Sequence, residues 1–146
     1  MSQISQVSPL LHRHRLDART RGRVRYAAAA LAGLTAVLYA LIATSAVHVI
    51  TTGAVADARH DQLAFATPAA IAYAFGAVLL LIRRLDHRTL WFLGALLQVG
   101  VIAMYLAVAP DREPSFELWG IAIRVVQVLL LTALVTLVLD DPDPAR

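Results

Sequence analysis

Residues 118–139 read LWGIAIRVVQVLLLTALVTLVL, an apolar run broken by one charged side chain, Arg124, and one amide, Gln127. As an α-helix such a run rises about 33 Å, enough to cross the roughly 30 Å hydrocarbon core of a bilayer. Lipid offers no partner to backbone N–H and C=O groups, so an unclosed segment crosses it only as a helix. Three earlier stretches have the same character: Tyr26 to Ile50, Leu63 to Ile82 and Leu90 to Ala109. Together they predict an all-α integral membrane protein, a four-transmembrane-helix bundle with spans 26–50, 63–82, 90–109 and 118–139. A basic N-terminal arm, 1–25, precedes the bundle, an acidic tail, 140–146, follows it, and the connections are too short to hold a further domain.

Composition agrees with this reading. Of 146 residues, 59% are hydrophobic and 16% charged, whereas a soluble domain is nearer half apolar and a quarter charged. All 13 basic residues are Arg, and Ala, Val and Leu dominate, a usage typical of GC-rich bacterial genomes. Cys is absent, which excludes disulfides, thiolate metal sites, Cys nucleophiles and iron–sulfur clusters within this sequence. A formal charge of +3 would suggest nucleic acid in a soluble protein. Here Arg13, Arg15, Arg19, Arg21, Arg23 and Arg25 all precede the first apolar run, so anionic lipid headgroups, not nucleic acid, are the expected partner.

Helix punctuation supports the limits of the spans. Gly53 follows the first, Pro110 the third, and Pro142 and Pro144 the fourth. Span two has two readings: Thr67 and Pro68 form a helix start, leaving a short helix, or Pro68 sits inside a longer helix and bends it. Arg counts in the short loops set the orientation. The leader, the loop with Arg83, Arg84 and Arg88, and the tail with Arg146 outweigh the two loops that hold only Arg59 and Arg112. By the positive-inside rule both termini are cytoplasmic, and an even number of spans requires them to share a side. A cleaved signal peptide competes for the beginning, since Ala54-Val55-Ala56 has the spacing of a cleavage site. The run from Tyr26 to Ile50 is far longer than the roughly 7 to 15 residues of a signal's apolar core, so a retained helix is expected.

Within lipid, helices associate through small residues and shared polar groups rather than through hydrophobic drive. Ala29 and Gly33, Ala72 and Gly76, and Gly94, Ala95, Ala103 and Ala107 supply small surfaces. Trp91, Gln98 and Tyr105 recur every seven residues and share one face of span three, which is expected to point inward. Trp91 and Tyr105 also suit an interfacial aromatic belt, and that is the stronger reading for these two; Gln98, near mid-membrane, needs an amide partner inside the protein. The two outer loops share an Asp, an Arg and a Phe, but without matching spans this does not make a tandem repeat.

The candidate site follows from the cost of Arg124, about 2.5 to 3.5 kcal/mol at a helix centre on insertion scales and less in the outer half of a span. Glu117, seven residues earlier, lies on nearly the same face; His48 of span one and Tyr105 of span three reach the same depth, and the loop after His48 adds Asp57, His60 and Asp61. A ligand-binding set of His48, Arg124, Glu117, Tyr105, Gln98 and Gln127 is the resulting expectation. Its bland counterparts are an outward-snorkelling Arg124 and a hydrogen-bonded packing role for His48. No metal site is expected: His12 and His14 lie in an Arg-rich stretch, and a bis-His haem would need His60 as second ligand. Phosphate-binding Gly loops, nucleophile elbows and zinc-binding His-Glu-x-x-His patterns are absent from the sequence, so catalysis is not expected, nor is a cofactor.

The reading that requires least is a non-catalytic small integral protein of the plasma membrane, a subunit or interaction module of a membrane assembly that contacts another membrane protein or itself. The alternative is binding or transport of a small amphipathic or anionic ligand, such as a quinone or lipid, at the outer polar cluster. A membrane oxidoreductase component is the third and weakest option.

Overall fold

A computed structural model describes residues 16–44, 46, 55–82, 88–108 and 118–140. The described chain is helical throughout: α1 (Ala18–Ala43), α2 (Val55–Leu81), α3 (Arg88–Val108) and α4 (Leu118–Leu139). Three of these, α1, α3 and α4, are long and apolar enough to cross a membrane; in α2 the apolar part is the shorter segment Phe65–Leu81.

Helix α1 begins at Ala18, not at Tyr26, because Asp17 caps it: the carboxylate accepts a hydrogen bond from the Thr20 N–H at 3.2 Å. Hydrogen bonding from the Thr20 side chain, and then from its backbone, holds the Asp17 carboxyl below its ordinary value of 3.8. Within the basic segment, Arg19, Arg21, Arg23 and Arg25 therefore stand on the first turns of a helix. At the far end Thr44 closes α1, its N–H and hydroxyl both reaching the Ala40 carbonyl. Helix α2 decides between the two readings of span two: Pro68 lies inside it, so Thr67 is not a helix start. It also corrects one expectation, since Asp57, His60 and Asp61 sit on its first turns rather than in a loop. Pro68 leaves the Ala64 carbonyl without its helical partner, a loss that membrane helices tolerate when neighbours surround the break.

The helices alternate in direction. Arg21 near the start of α1 meets Asp140 at the end of α4, Tyr39 of α1 meets Phe65 of α2, and Gly94 and Tyr105 of α3 meet Leu134 and Gly120 of α4 respectively. Helix α1 packs against both α2 and α4, and α3 packs against α4. In α4 the buried residues are Gly120, Ile123, Gln127, Leu130, Leu134 and Leu137, stepping alternately by three and four. Trp91, Ala95, Gln98 and Tyr105 of α3 keep the same rhythm. This is the spacing of side chains that interdigitate between helices crossing at a shallow angle.

Small residues set how closely the helices come. Ala28, Ala29, Ala32 and Ala36 form the inner face of α1, and a Cβ on Gly94 would stand 3.3 Å from a Leu134 methyl, so Leu134 fills the space that this glycine leaves. The inward face expected of span three is observed, and it overturns the belt reading of its aromatics: Trp91 is 1% exposed and Tyr105 is buried. Outward positions carry large apolar side chains, among them Phe75, Phe92, Leu96, Val125 and Leu129.

The Arg21 end of the bundle is closed by Asp140. Its Oδ1 accepts from the Leu16 N–H at 2.7 Å, its Oδ2 lies 3.7 Å from Arg21 Nη1, and its backbone carbonyl accepts from the same nitrogen at 3.0 Å. The guanidinium also sits where the carbonyl end of α4 favours a cation. Arg25, one turn further in, is 7% exposed with its ring-side neighbour Tyr26 at 5.7 Å, and its Nε is buried without a hydrogen-bond partner.

Candidate functional site

Every helix contributes to one polar layer. Tyr39 from α1, Tyr73 from α2, Gln98 from α3 and Gln127 from α4 all lie on inward faces and are buried. A hydroxyl or amide at such a position has no water to bond, so it costs several kcal/mol unless another side chain serves it. The partners are each other. Tyr73 is the hub: its hydroxyl is straddled by the Gln98 amide, with Oε1 at 3.1 Å and Nε2 at 2.9 Å, and accepts from Gln127 Nε2 at 2.8 Å. Gln127 Nε2 also reaches the Tyr39 hydroxyl at 3.3 Å. The rings of Tyr39 and Tyr73 stack, centroids 5.6 Å apart and 14° between planes, which brings both hydroxyls to one level. Phe65 meets the Tyr39 ring edge-on at 6.0 Å.

Arg124 lies one turn from Gln127 on α4, toward the end of the bundle opposite Asp140. Its Nη1 donates to Gln127 Oε1, its Nη2 reaches the Tyr39 hydroxyl at 3.4 Å, and its guanidinium carbon sits 4.2 Å from the centroid of the Tyr105 ring. That ring is held against α4 by a missing side chain: a Cβ at Gly120 would fall 2.7 Å from the Tyr105 hydroxyl. A cation over an aromatic face gains about 0.5 kcal/mol when exposed and 2 or more when desolvated. The charge is thus spread over an amide oxygen, a hydroxyl and a π face; Arg124 forms no ion pair among the described residues, and its Nε is buried without a hydrogen-bond partner.

The structure therefore brings Arg124, Gln127 and Tyr105 into direct contact and joins Gln98 to them through Tyr73. His48 and Glu117 lie outside the described residues, as do Arg13 and Arg15. Of the arginines expected at headgroups, Arg19 and Arg23 are exposed, while Arg21 is tied to Asp140 and Arg25 is turned into the bundle. Tyr39 and Tyr73 went unnoticed in the sequence. The signal was there: a tyrosine in the middle of a span stands too deep for the interfacial belt, and its hydroxyl needs an internal partner.

Among the described residues no group of three or more His, Cys, Asp or Glu is placed to hold a metal ion. The layer is a chain of neutral hydrogen-bonding groups ending on one cation. It can join four helices and solvate a guanidinium, but offers no paired acid and base among the described side chains. No protein-family model, curated protein or solved structure matches the chain.

Proposed function

We propose that this chain is a four-span integral protein of the plasma membrane, bacterial by its arginine-only basic usage, that acts without catalysis as a subunit or interaction module of a membrane assembly. One observation carries the reading: polar side chains from all four helices are consumed by one another in a single internal layer, while the outward face is large and apolar. That division suits lipid or another membrane protein as the surroundings and assigns the layer to fixing helix register, the use to which interhelical hydrogen bonds in membranes are put. Helix α2 is the fourth span. Its apolar segment Phe65–Leu81 rises about 26 Å, a few ångströms short, a mismatch that tilting of neighbours or local thinning of the bilayer absorbs.

In this reading both termini and the loop between α2 and α3 face the cytoplasm, with Arg19 and Arg23 at the level of anionic headgroups. The chain contains no cysteine, so single-Cys variants label without background. In oriented vesicles an impermeant maleimide should reach Ser115→Cys from the external side and His87→Cys only after permeabilisation. The reverse pattern overturns the orientation, and failure of the protein to float with vesicles overturns membrane insertion. Purification in mild detergent then separates a co-purifying membrane protein or a self-assembly from an isolated monomer, which would defeat the module reading.

One observation favours the alternative, a small amphipathic or anionic ligand at the Arg124 cluster: the Nε of Arg124 is buried with no hydrogen-bond partner. Under that alternative Arg124→Leu abolishes function in the host while the protein still folds; under the module reading function survives.

A further inference from the structure

Helices α2 and α3 leave an apolar cleft of about 320 Å³ between them, on the side of the polar layer that faces the Arg21–Asp140 end. Its back wall is Ala32, Leu130 and Leu134 of the two helices behind; its top is Tyr73 and Gln98. The rims include Phe75 and Leu97, whose side chains are more than half exposed and face outward. The cleft exists because the chain placed small residues where these helices would otherwise meet. A Cβ built on Gly76 finds no atom within 4 Å, so the space beside it is open. The Tyr73–Gln98 contact is the side-chain hydrogen bond that crosses this seam among the described residues.

We infer that this cleft takes one acyl chain of an anionic phospholipid from the cytoplasmic leaflet, with the phosphate held at Arg88. The inference rests on the membrane reading proposed above, since hydrocarbon is then the medium that a gap opening sideways must admit. The volume lies at the small end of the roughly 300 to 1,000 Å³ typical of ligand sites, and a helix, about 10 to 12 Å across with its side chains, does not enter it. A second copy of the chain is thereby disfavoured. The choice of an anionic lipid comes from charge. Arg88 is exposed and opens the helix whose Leu90 and Trp91 line the lower cleft, and exposed Arg19 and Arg23 lie at the same end of the bundle. A phosphate at that level meets cations, and its chain runs upward toward Gln98.

Trp91 lines the cleft and is shielded from the surroundings, whereas Trp119, the other tryptophan, is 43% exposed near the opposite end. A Trp119→Phe protein therefore reports from the cleft alone. It is first floated with phosphatidylcholine vesicles; if it does not float, the membrane reading fails and this inference with it. If it floats, Trp91 emission is titrated with phosphatidylglycerol brominated on its acyl chain and, separately, with brominated phosphatidylcholine. The expected result is quenching of Trp91 at about fivefold lower mole fraction of the anionic lipid, the preference supplied by one arginine near a membrane surface. Arg88→Gln should make the two lipids equal, and Gly76→Leu, which fills the open space, should remove the saturable component. Equal titrations with both lipids in the parent protein overturn the site, as does a preference that survives both substitutions. Because Arg88 is exposed, its variant remains informative even if Gly76→Leu disturbs the fold.

Discussion

Replacing Gln127 by Leu tests the polar layer most directly, because Gln127 is fully buried and bonds to Tyr73, Tyr39 and Arg124. The substitution keeps volume and removes polarity. It deletes the bonds from Nε2 to the hydroxyls of Tyr73 and Tyr39 and the acceptor for Arg124 Nη1. Interhelical hydrogen bonds in membrane proteins average about 0.6 kcal/mol each, and one to a charged group contributes about 1.5 to 3 kcal/mol. The loss of two of the first kind and one of the second gives about 3 to 4 kcal/mol of destabilisation. Gln98→Leu is the comparison: it breaks only the contact with Tyr73 and should cost about 0.6 to 1.7 kcal/mol. Both are read by helicity in mixed micelles as the fraction of denaturing detergent rises. A double-mutant cycle of Gln127→Leu with Tyr73→Phe should show coupling, since the two share a 2.8 Å bond. If Gln127→Leu is as stable as the parent, or no worse than Gln98→Leu, the layer does not hold the helices together and the reasoning is refuted.

Three further outcomes follow from the geometry. Gly120→Ala places a methyl 2.7 Å from the Tyr105 hydroxyl and should destabilise by about 1 to 3 kcal/mol; adding Tyr105→Phe, which removes that oxygen, should recover most of the loss, and a strictly additive double variant would contradict the packing described. Asp140→Ala strips the acceptor from the Leu16 N–H and the partner from Arg21, so the first turn of α1 should exchange its amide hydrogens faster while the middle of α4 does not change. The Asp17 carboxylate has its pKa depressed by the Thr20 bonds; its contribution to the helix start is therefore present above the unfolded value and lost as the pH falls through the lower, folded one. Exchange at the Thr20 amide should rise in that acidic window, and Asp17→Ala should abolish the pH dependence.

The linear order of residues was enough to locate the helices and their inward faces where one strong signal acted alone. Apolar length identified α3 and α4 nearly to the residue, and seven-residue spacing placed Trp91, Gln98 and Tyr105 on one buried face. It misjudged places where two signals compete. Arg19, Arg21, Arg23 and Arg25 read as part of a basic arm at the headgroups because charge ends a span in a hydropathy reading, yet an Asp17 cap and an Asp140 partner start α1 ahead of them. Pro68 read equally well as a start or an interruption, because a proline lacks the N–H in either place and only the turns before it decide.

The site divides in the same way. That Arg124 and Gln127 needed partners was determined by the residues themselves, since burying an unserved polar group in hydrocarbon is costly whatever the fold. Which partners they found was a tertiary matter. Tyr39 and Tyr73 come from helices far away in the chain, and their hydroxyls converge only because Ala28, Ala32 and Ala36 let α1 pack closely and because the two rings stack at one depth. Depth along a span is encoded in residue number, but rotation about the helix axis and the choice of neighbour are settled by how whole surfaces fit. For that reason the composition of the polar layer could be half read from the sequence, and the apolar cleft beneath it not at all.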